Sequence, residues 1–404
     1  MHHVNRFLVV GAGPAGLSLA LQLARRGHAV TLVEASTSFS RQFRGEALMP
    51  CGLEALAHLG LGDLHRQLPH RSLAGWSVWV EGRRLFHVAE PMGALQPCTL
   101  VSQEALLDHL LALAQQQPRF RWLPGQPVKR LLRREGRISG VELASGEQLE
   151  ADLVIGCDGR GSLLRRQAGL SLQTSGVGLE LLWFKLPGPL PAELDGSFNT
   201  LLAGGQIGSA CIGARGELQL AWLLQADQPN PPPDSPPWPE RLARLLPPPF
   251  ATVLRERADA LSTPQRVSVQ VGMASSWRQP GLLLLGDAAH PMSPVRAQGI
   301  NMALRDSVVA AHWLSQADSA EALDAAAAAV ERQRRPEIQR MQALQSSEAR
   351  QGHLLGHNAP LRHSLAALAP LLGPVASRIW RQRQGPLREG IPGALPQRTN
   401  SISW

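Results

Sequence analysis

Apolar and polar positions alternate in three styles along the chain. A short apolar run, RFLVV at 6–10, passes through GAGPAG into LSLALQLARRG, whose apolar residues recur at helical spacing and stop at Gly27. HAVTLVE follows as a second strand ending at Glu34, so the chain opens with a β-α-β unit. A helical pattern enters at Pro50 in PCGLEALAHLGL. The period-two segments GWSVWV and RRLFHVA, with EGR between them, predict a hairpin. SQEALLDHLLALAQQQ predicts a helix with Ser102 as N-cap and Glu104 in its first turn. RFRWL, VKRLLRR, RISGVEL and DLVIGCDG then read as strands that return the chain to a parallel sheet.

From Leu179 to Val271 the style changes. LELLWFKL, IGSACIGA and ELQLAWLL predict antiparallel strands joined by glycine-containing turns. QPNPPPDSPPWPE is a proline-rich connection, too stiff for helix and without apolar anchors. Beyond it, PGLLLLGDAA predicts one more buried strand and GINMALRDSVVAAHWLSQ a helix. SAEALDAAAAAVERQRR predicts a long helix that ends or kinks at Pro336. In HSLAALAPLLGPVASRIWRQR, Leu365, Leu368, Leu372, Val375 and Ile379 share a helical face, with kinks expected at Pro370 and Pro374. The favoured expectation packs that face on the protein itself. The other lays it weakly on a membrane surface, with Arg378, Arg381 and Arg383 at the headgroups. The fold class is therefore α/β. A Rossmann-like domain covers 1–75, 98–178 and 267–345, a mainly antiparallel substrate sheet is inserted at 76–97 and 179–266, and a helical segment fills 346–404.

Composition narrows the picture. The chain has 404 residues, 44% of them hydrophobic, enough for two lobes with sizeable cores. No apolar run is long enough to span a bilayer, and the first residues lack the regions of a signal peptide, so a cytoplasmic location is expected. Cys51, Cys98, Cys157 and Cys211 are scattered without a CxxC pair, which argues against a disulfide framework or a structural zinc site. The net charge of +8 is almost all arginine; lysine occurs only at Lys129 and Lys185, and tyrosine is absent. No basic stripe is interleaved with aromatics, so the charge points to anionic cofactors and substrates, not nucleic acid.

GAGPAG supplies Gly11, Gly13 and Gly16 at GxGxxG spacing. The first permits the tight turn, the second a close approach to pyrophosphate, the third close packing of helix on strand. The helix start at Pro14 and Ala15 presents its positive end to the phosphates. Glu34, at a strand end, suits ribose hydroxyls and repels a 2′-phosphate, which favours FAD or NAD over NADP. Asp158-Gly159, followed by Ser162 and Arg165, and Gly286-Asp287 each put a carboxylate at a strand end, poised for a polyol. FAD has one, its ribityl chain.

The order GxGxxG, DG, then GD with GDAAHPMSP and GIN resembles the FAD-dependent monooxygenases of the para-hydroxybenzoate hydroxylase type, over roughly residues 5–345. The resemblance implies that Arg44 in FRGEALMP contacts phosphate and ribityl, with Arg41 a weaker candidate that a solvated surface place would equally explain. It places Gln103 at the ribityl-phosphate, Val128 at adenine, and Asp287 on the ribityl hydroxyls. Gly286 shares that last motif, and the loop from Pro294 through Gly299 and Ile300 to Asn301 passes beside the isoalloxazine. Asp158 would serve FAD and NAD(P)H; a helix N-cap role also explains an acid there.

Arg296 departs from the family, which has Gly or Ala at it and at Ala297. Its guanidinium either stabilises negative charge on flavin or substrate, or turns to solvent or a carboxylate, the favoured expectation. His290 is assigned a structural role. No metal motif or hydrolase signature is present.

The implied reaction reduces FAD with NAD(P)H, forms a flavin C4a-hydroperoxide with molecular oxygen, and inserts one oxygen atom into a small aromatic or lipophilic molecule. Without tyrosine, a phenolic substrate would lose its proton to His87 or His70, to water, or by its own acidity, and no catalytic residue is assigned. Trp76, Trp79, Trp183 and Phe184 are candidate cavity walls that core packing explains equally well. Three alternatives stay open. A halogenase would need a WxWxIP-like segment, which is missing, and Lys129 or Lys185 as its lysine. The others are a lipid reductase or desaturase, and a flavin-binding protein with impaired turnover.

Overall fold

A six-stranded sheet carries one end of the site. Arg6–Val10, Ala29–Val33, Phe120–Leu123, Leu153–Gly156 and Leu282–Leu284 run parallel, and Arg278–Gln279 closes one edge antiparallel. Phe7 and Val9 point into one core and Leu8 and Val10 into another, so both faces are covered and the strand reads as an unbroken apolar run. The computed structural model describes residues 3–40, 45–174, 179–224 and 236–397. Its helices, in chain order, are α1 Pro14–Arg25, α2 Pro50–His58, α3 Leu64–Gln67, α4 Gln103–Gln115, α5 Leu163–Gln167 and α6 Trp238–Leu245. The later ones are α7 Pro248–Glu256, α8 Gln298–Leu314, α9 Ala320–His357, α10 Ala359–Ala367 and α11 Ala369–Glu389.

VKRLLRR and RISGVEL do not join the parallel sheet. Val128–Arg134 and Arg137–Leu143 pair antiparallel and form a separate three-stranded sheet with Gln148–Glu150. The turn explains the difference: Glu135 (φ 52°) and Gly136 (φ 79°) are both left-handed, as a two-residue hairpin requires. The inserted lobe is a seven-stranded sheet ordered Gln265–Val269, Leu179–Leu186, Leu218–Leu224, Gln206–Ile212, Phe198–Ala203, Gly75–Val80, Arg83–Ala89. Only the Phe198–Ala203 and Gly75–Val80 pair runs parallel. Helices α6 and α7 cover its back with Leu242, Phe250 and Leu254. The proline-rich stretch lies outside the described residues up to 235, but its end corrects the reading. PPWPE starts α6, with Pro237 as N-cap and a proline in the first turn, where no N–H is missed.

Helix α9 does not end at Pro336; it continues through the proline for 38 residues in all. Arg334 and Glu337, on either side, are locked in fully buried ion pairs, and Ile338 and Met341 are core, so packing offsets the lost backbone hydrogen bond. The packed-face expectation for the C-terminus is overturned. Leu368, Leu371, Leu372, Val375 and Ile379 are exposed, Leu371 by 73%, and α11 packs through Gly373, Gln384 and Leu387 instead. A Cβ on Gly373 would lie 2.4 Å from the Leu85 carbonyl, so backbone contact selects the glycine face over the leucine face. Pro370 falls in the first turn of α11, and Pro374 lies within it. Among the described residues no helix is long and apolar enough to cross a membrane.

Candidate active site

One cavity of about 2360 Å³ runs from the glycine loop to the inner face of the seven-stranded sheet. Its first end is built from backbone. Gly11 has φ 99°, and a Cβ there would sit 2.3 Å from the Cys157 carbonyl. Gly16 is off the wall; its Cβ would meet the Gly11 carbonyl at 2.0 Å, so it acts by letting helix approach loop. Gly13 has open space beside it and starts α1 with no side-chain cap, and Pro14 and Ala15 continue the wall. Helix α8 also starts uncapped, at Ala297, with Pro294, Gly299 and Ile300 on the wall. Two helix N-termini with free N–H groups thus face one cavity, an arrangement that favours negative charge.

The acids are anchored first. Glu34 accepts hydrogen bonds from Ala12 N at 2.8 Å and Ser36 N at 3.0 Å while facing the cavity. Asp158 accepts from Ser162 Oγ at 2.5 Å and Leu164 N at 3.0 Å, the helix-cap geometry, and also lies on the wall with Val128. Asp287, beside Gly286, accepts from Arg160 Nε at 3.0 Å and stays part-exposed in the cavity. Gln103 donates to the Gly45 carbonyl at 3.2 Å, and its buried Oε1 has no partner among the described residues. Asn301 is placed otherwise than expected. It is fully buried off the wall, accepting from Met49 N and donating to the carbonyls of Ala47 and Ala297, so it ties loops together. Arg41 and Arg44 lie outside the described residues. The uncapped helix starts, the open Gly13 and the orphaned Gln103 oxygen fit FAD.

Residues 5–345 match the family described as FAD binding domain. The 6-methylpretetramide 4-monooxygenase of Streptomyces rimosus is 32% identical over 410 residues, covering 96% of each chain. The 3-demethoxyubiquinol 3-hydroxylase of Escherichia coli (strain K12) is 28% identical over 325 residues, 74% of this chain and 76% of that one. The p-nitrophenol 4-monooxygenase PnpA of Pseudomonas putida DLL-E4 shares the fold, with TM-score 0.78 at 18% identity over 97% of this chain and 100% of its own. The chain belongs to this family of FAD-dependent monooxygenases.

The other end of this monooxygenase's cavity is walled by the seven-stranded sheet, with Trp76 and Trp183 on it. Trp79 instead donates to Asn199 at 2.9 Å, and Phe184 is wholly core. Arg296 takes the favoured course in its second form, pairing with a carboxylate and not turning to solvent. Left-handed at φ 59°, it donates through Nε to Glu348 at 2.7 Å, and its guanidinium lies 5.1 Å from the Trp76 ring and 4.8 Å from Trp380. Gln384 also donates to Glu348, at 2.5 Å, so one clamp joins the turn before α8 to α9, α11 and the sheet.

His290 is structural, as expected: its Nε2 sits 2.6 Å from Asp306 Oδ2, and its ring stacks 4.8 Å from Trp277. Asp306 also accepts from Gly286 N at 3.1 Å and Arg334 Nε at 2.8 Å, beneath the GD motif. Burial works against its ionisation, but His290 and Arg334 outweigh it and hold the carboxyl below the usual range.

His70 and His87 are both off the cavity wall, as are Lys129 and Lys185. The wall carries His353 and His357 instead, rings 4.0 Å apart, from the part of α9 beyond Pro336. Reading that helix through the proline would have found them. Glu46 on the wall was also missed, though it sits inside the quoted FRGEALMP.

Proposed function

We propose that this chain uses NAD(P)H and molecular oxygen to hydroxylate an extended, uncharged aromatic molecule. The observation that carries the reading is the single cavity of about 2360 Å³, against roughly 300–1,000 Å³ for a pocket holding one drug-sized ligand. After FAD is accommodated, ample volume is left for fused rings. The substrate wall is apolar through Leu181, Leu202, Ile207 and Leu223, relieved by Thr200 and Ser209. Among the described residues its arginines are Arg296, already paired, and Arg350 and Arg383, both exposed at the rim. None is a buried, unpaired anchor for a carboxylate. The Streptomyces rimosus relative, named for 6-methylpretetramide, supports the same reading.

The glycine loop, Glu34, Gln103 and Asp287 would hold FAD, which would supply the redox chemistry and the activation of oxygen. The chain's own residues position the ring, exclude water and keep the two helix starts aimed at developing negative charge. The test is oxidation of NADH and of NADPH by the FAD-loaded protein with fused-ring phenols and single-ring benzoates, followed by product mass. Fused-ring phenols should stimulate oxidation and gain one oxygen atom. Faster turnover of the benzoates would defeat the reading.

The open face of α11 supports a second, weaker engagement. Leu368 just before the helix and Leu371, Leu372 and Val375 on it are exposed, with Arg378 and Arg381 exposed nearby and Ile379 and Arg383 at the cavity edge, a pattern suited to peripheral contact with an anionic lipid surface.

A further inference from the structure

We propose that Glu46 is the proton acceptor for a phenolic hydroxyl on the substrate; this rests on the aromatic-substrate reading above. Its backbone belongs to the cofactor half: Gly45 before it takes the Gln103 amide, and Ala47 after it opens the short strand Ala47–Leu48. Its side chain reaches the other half. Glu46 Oε2 accepts from Gln219 Nε2 at 2.9 Å and from Ala214 N at 3.4 Å. Its Oε1 takes no hydrogen bond among the described residues, and the residue lines the cavity. One oxygen is held, the other is left free to accept, and the residue lies where the glycine-loop and sheet parts of the wall meet.

The surroundings suit a base. Burial pushes the Glu46 carboxyl up, and the Glu217 carboxylate, 2.6 Å from the same Gln219 amide, pushes it further. Gln219, Lys185 and the Ala214 N–H work the other way without cancelling the rise. Cys211, on the neighbouring strand, is pushed up to about 12 by burial and stays a neutral thiol. Arg215 turns away to Ser102 and Glu104. A carboxylate raised toward the working pH is a stronger base than an ordinary one. The competing carboxylate, Glu348, is already engaged by Arg296 and Gln384. Glu34, Asp158 and Asp287 on the wall are held at the glycine-loop end, which leaves His353 and His357 as the rival acceptors beside the sheet.

The step moves one proton. The phenolic O–H bond breaks, the proton goes to the Glu46 carboxylate, and the electron pair stays on oxygen. From there it raises the nucleophilicity of the ring carbon that receives the oxygen atom. Molecular oxygen supplies that atom, the reduced nicotinamide supplies the two electrons, and the second oxygen leaves as water. Glu46 releases its proton to solvent afterwards.

The experiment uses the FAD-loaded full chain, 1-naphthol, and a polyfluorinated naphthol already ionised at the assay pH. Glu46→Gln should lower kcat on 1-naphthol about 100-fold and erase the acid limb of its pH profile. Affinity for 1-naphthol, read from tryptophan fluorescence, should stay nearly unchanged, because the lost interaction belongs to the chemical step. The loss should shrink to less than about tenfold on the fluorinated naphthol, which has no proton to give. Glu46→Asp should keep the acid limb. A wild-type rate on 1-naphthol, or an equal loss on both naphthols, overturns the proposal. So does the acid limb vanishing in His353→Asn or His357→Asn and not in Glu46→Gln. If the wild type adds oxygen to no naphthol, the substrate reading falls and takes this role with it; an unaffected Glu46→Gln enzyme removes the role alone.

Discussion

The two ends of the cavity are held by different kinds of contact. At the cofactor end two of the acids are held by neighbours in sequence, Glu34 by Ser36 N and Asp158 by Ser162 Oγ and Leu164 N, and only Asp287 takes a distant partner, Arg160. At the sheet end the ties cross the chain, Arg296 to Glu348 and Glu46 to Gln219, with Arg388 to Glu90 buried behind the wall. The first kind is set by a turn and the helix that follows it; the second exists only once α9 and α11 have folded back over the sheet. Substitutions at the first end should therefore act on FAD, and those at the second on stability and substrate.

The largest expected effect tests the cofactor end. In Gly16→Ala the new Cβ would lie 2.0 Å from the Gly11 carbonyl, a backbone atom that cannot move without opening the loop. The purified variant should carry little or no FAD, read as flavin absorbance per mole of protein. Wild-type flavin content would break the claim that this packing shapes the phosphate site.

Asp306→Asn comes next, because it strikes the buried network under the GD motif. Taking from buried Arg334 one of its two carboxylates, Glu337 being the other, and from His290 its partner should cost about 3 kcal/mol, measured by denaturant unfolding. The native Asp306 is held below its ordinary value, so its contribution is full above about pH 3.9 and fades as pH falls through the native value. The variant should lose that part of the acid dependence. A variant as acid-sensitive as the wild type would show that other carboxylates govern acid unfolding.

This division also explains what the sequence could tell. GAGPAG, Asp158-Gly159 and Gly286-Asp287 are consecutive residues whose turns and helix starts are local, and the structure brings them to one cavity. Asn301 belongs to the same motif yet acts as a loop tie, because nothing in GIN records that Met49 and Ala47 arrive beside it. The partners of Arg296 were hidden for the same reason: Glu348 lies beyond a proline that normally ends a helix, and Trp380 lies on a helix whose packed face was misjudged. Periodicity shows that α11 has an apolar stripe. It does not show that small Gly373 lets the opposite face come closer to Leu85.

Arg296 sharpens the comparison at a smaller scale. Arg296→Ala removes a cation from two indole rings and keeps the left-handed backbone, and should cost about 2 kcal/mol. Arg296→Gly removes the same side chain but relaxes φ 59°, and should recover about 1 kcal/mol of that loss. Both should keep FAD. Equal stabilities for the two variants would mean that the backbone there carries no strain.

The smallest effect on stability is expected on the outer face of α11. Leu371 is 73% exposed and Val375 58%, so Leu371→Ser with Val375→Ser should change the unfolding free energy by no more than about 0.5 kcal/mol per site. A loss of several kcal/mol would mean that the face is covered in solution, by a second copy of the chain if the loss depends on protein concentration. Flotation with vesicles supplies the other half of the test. The wild type should rise with anionic phosphatidylglycerol vesicles and not with neutral phosphatidylcholine, and less so at high salt, because the arginines are screened. The doubly substituted protein should stay behind at every salt concentration while hydroxylating a dissolved substrate normally. If both proteins ignore anionic vesicles, the stripe is surface left over from a helix that needed only its glycine side.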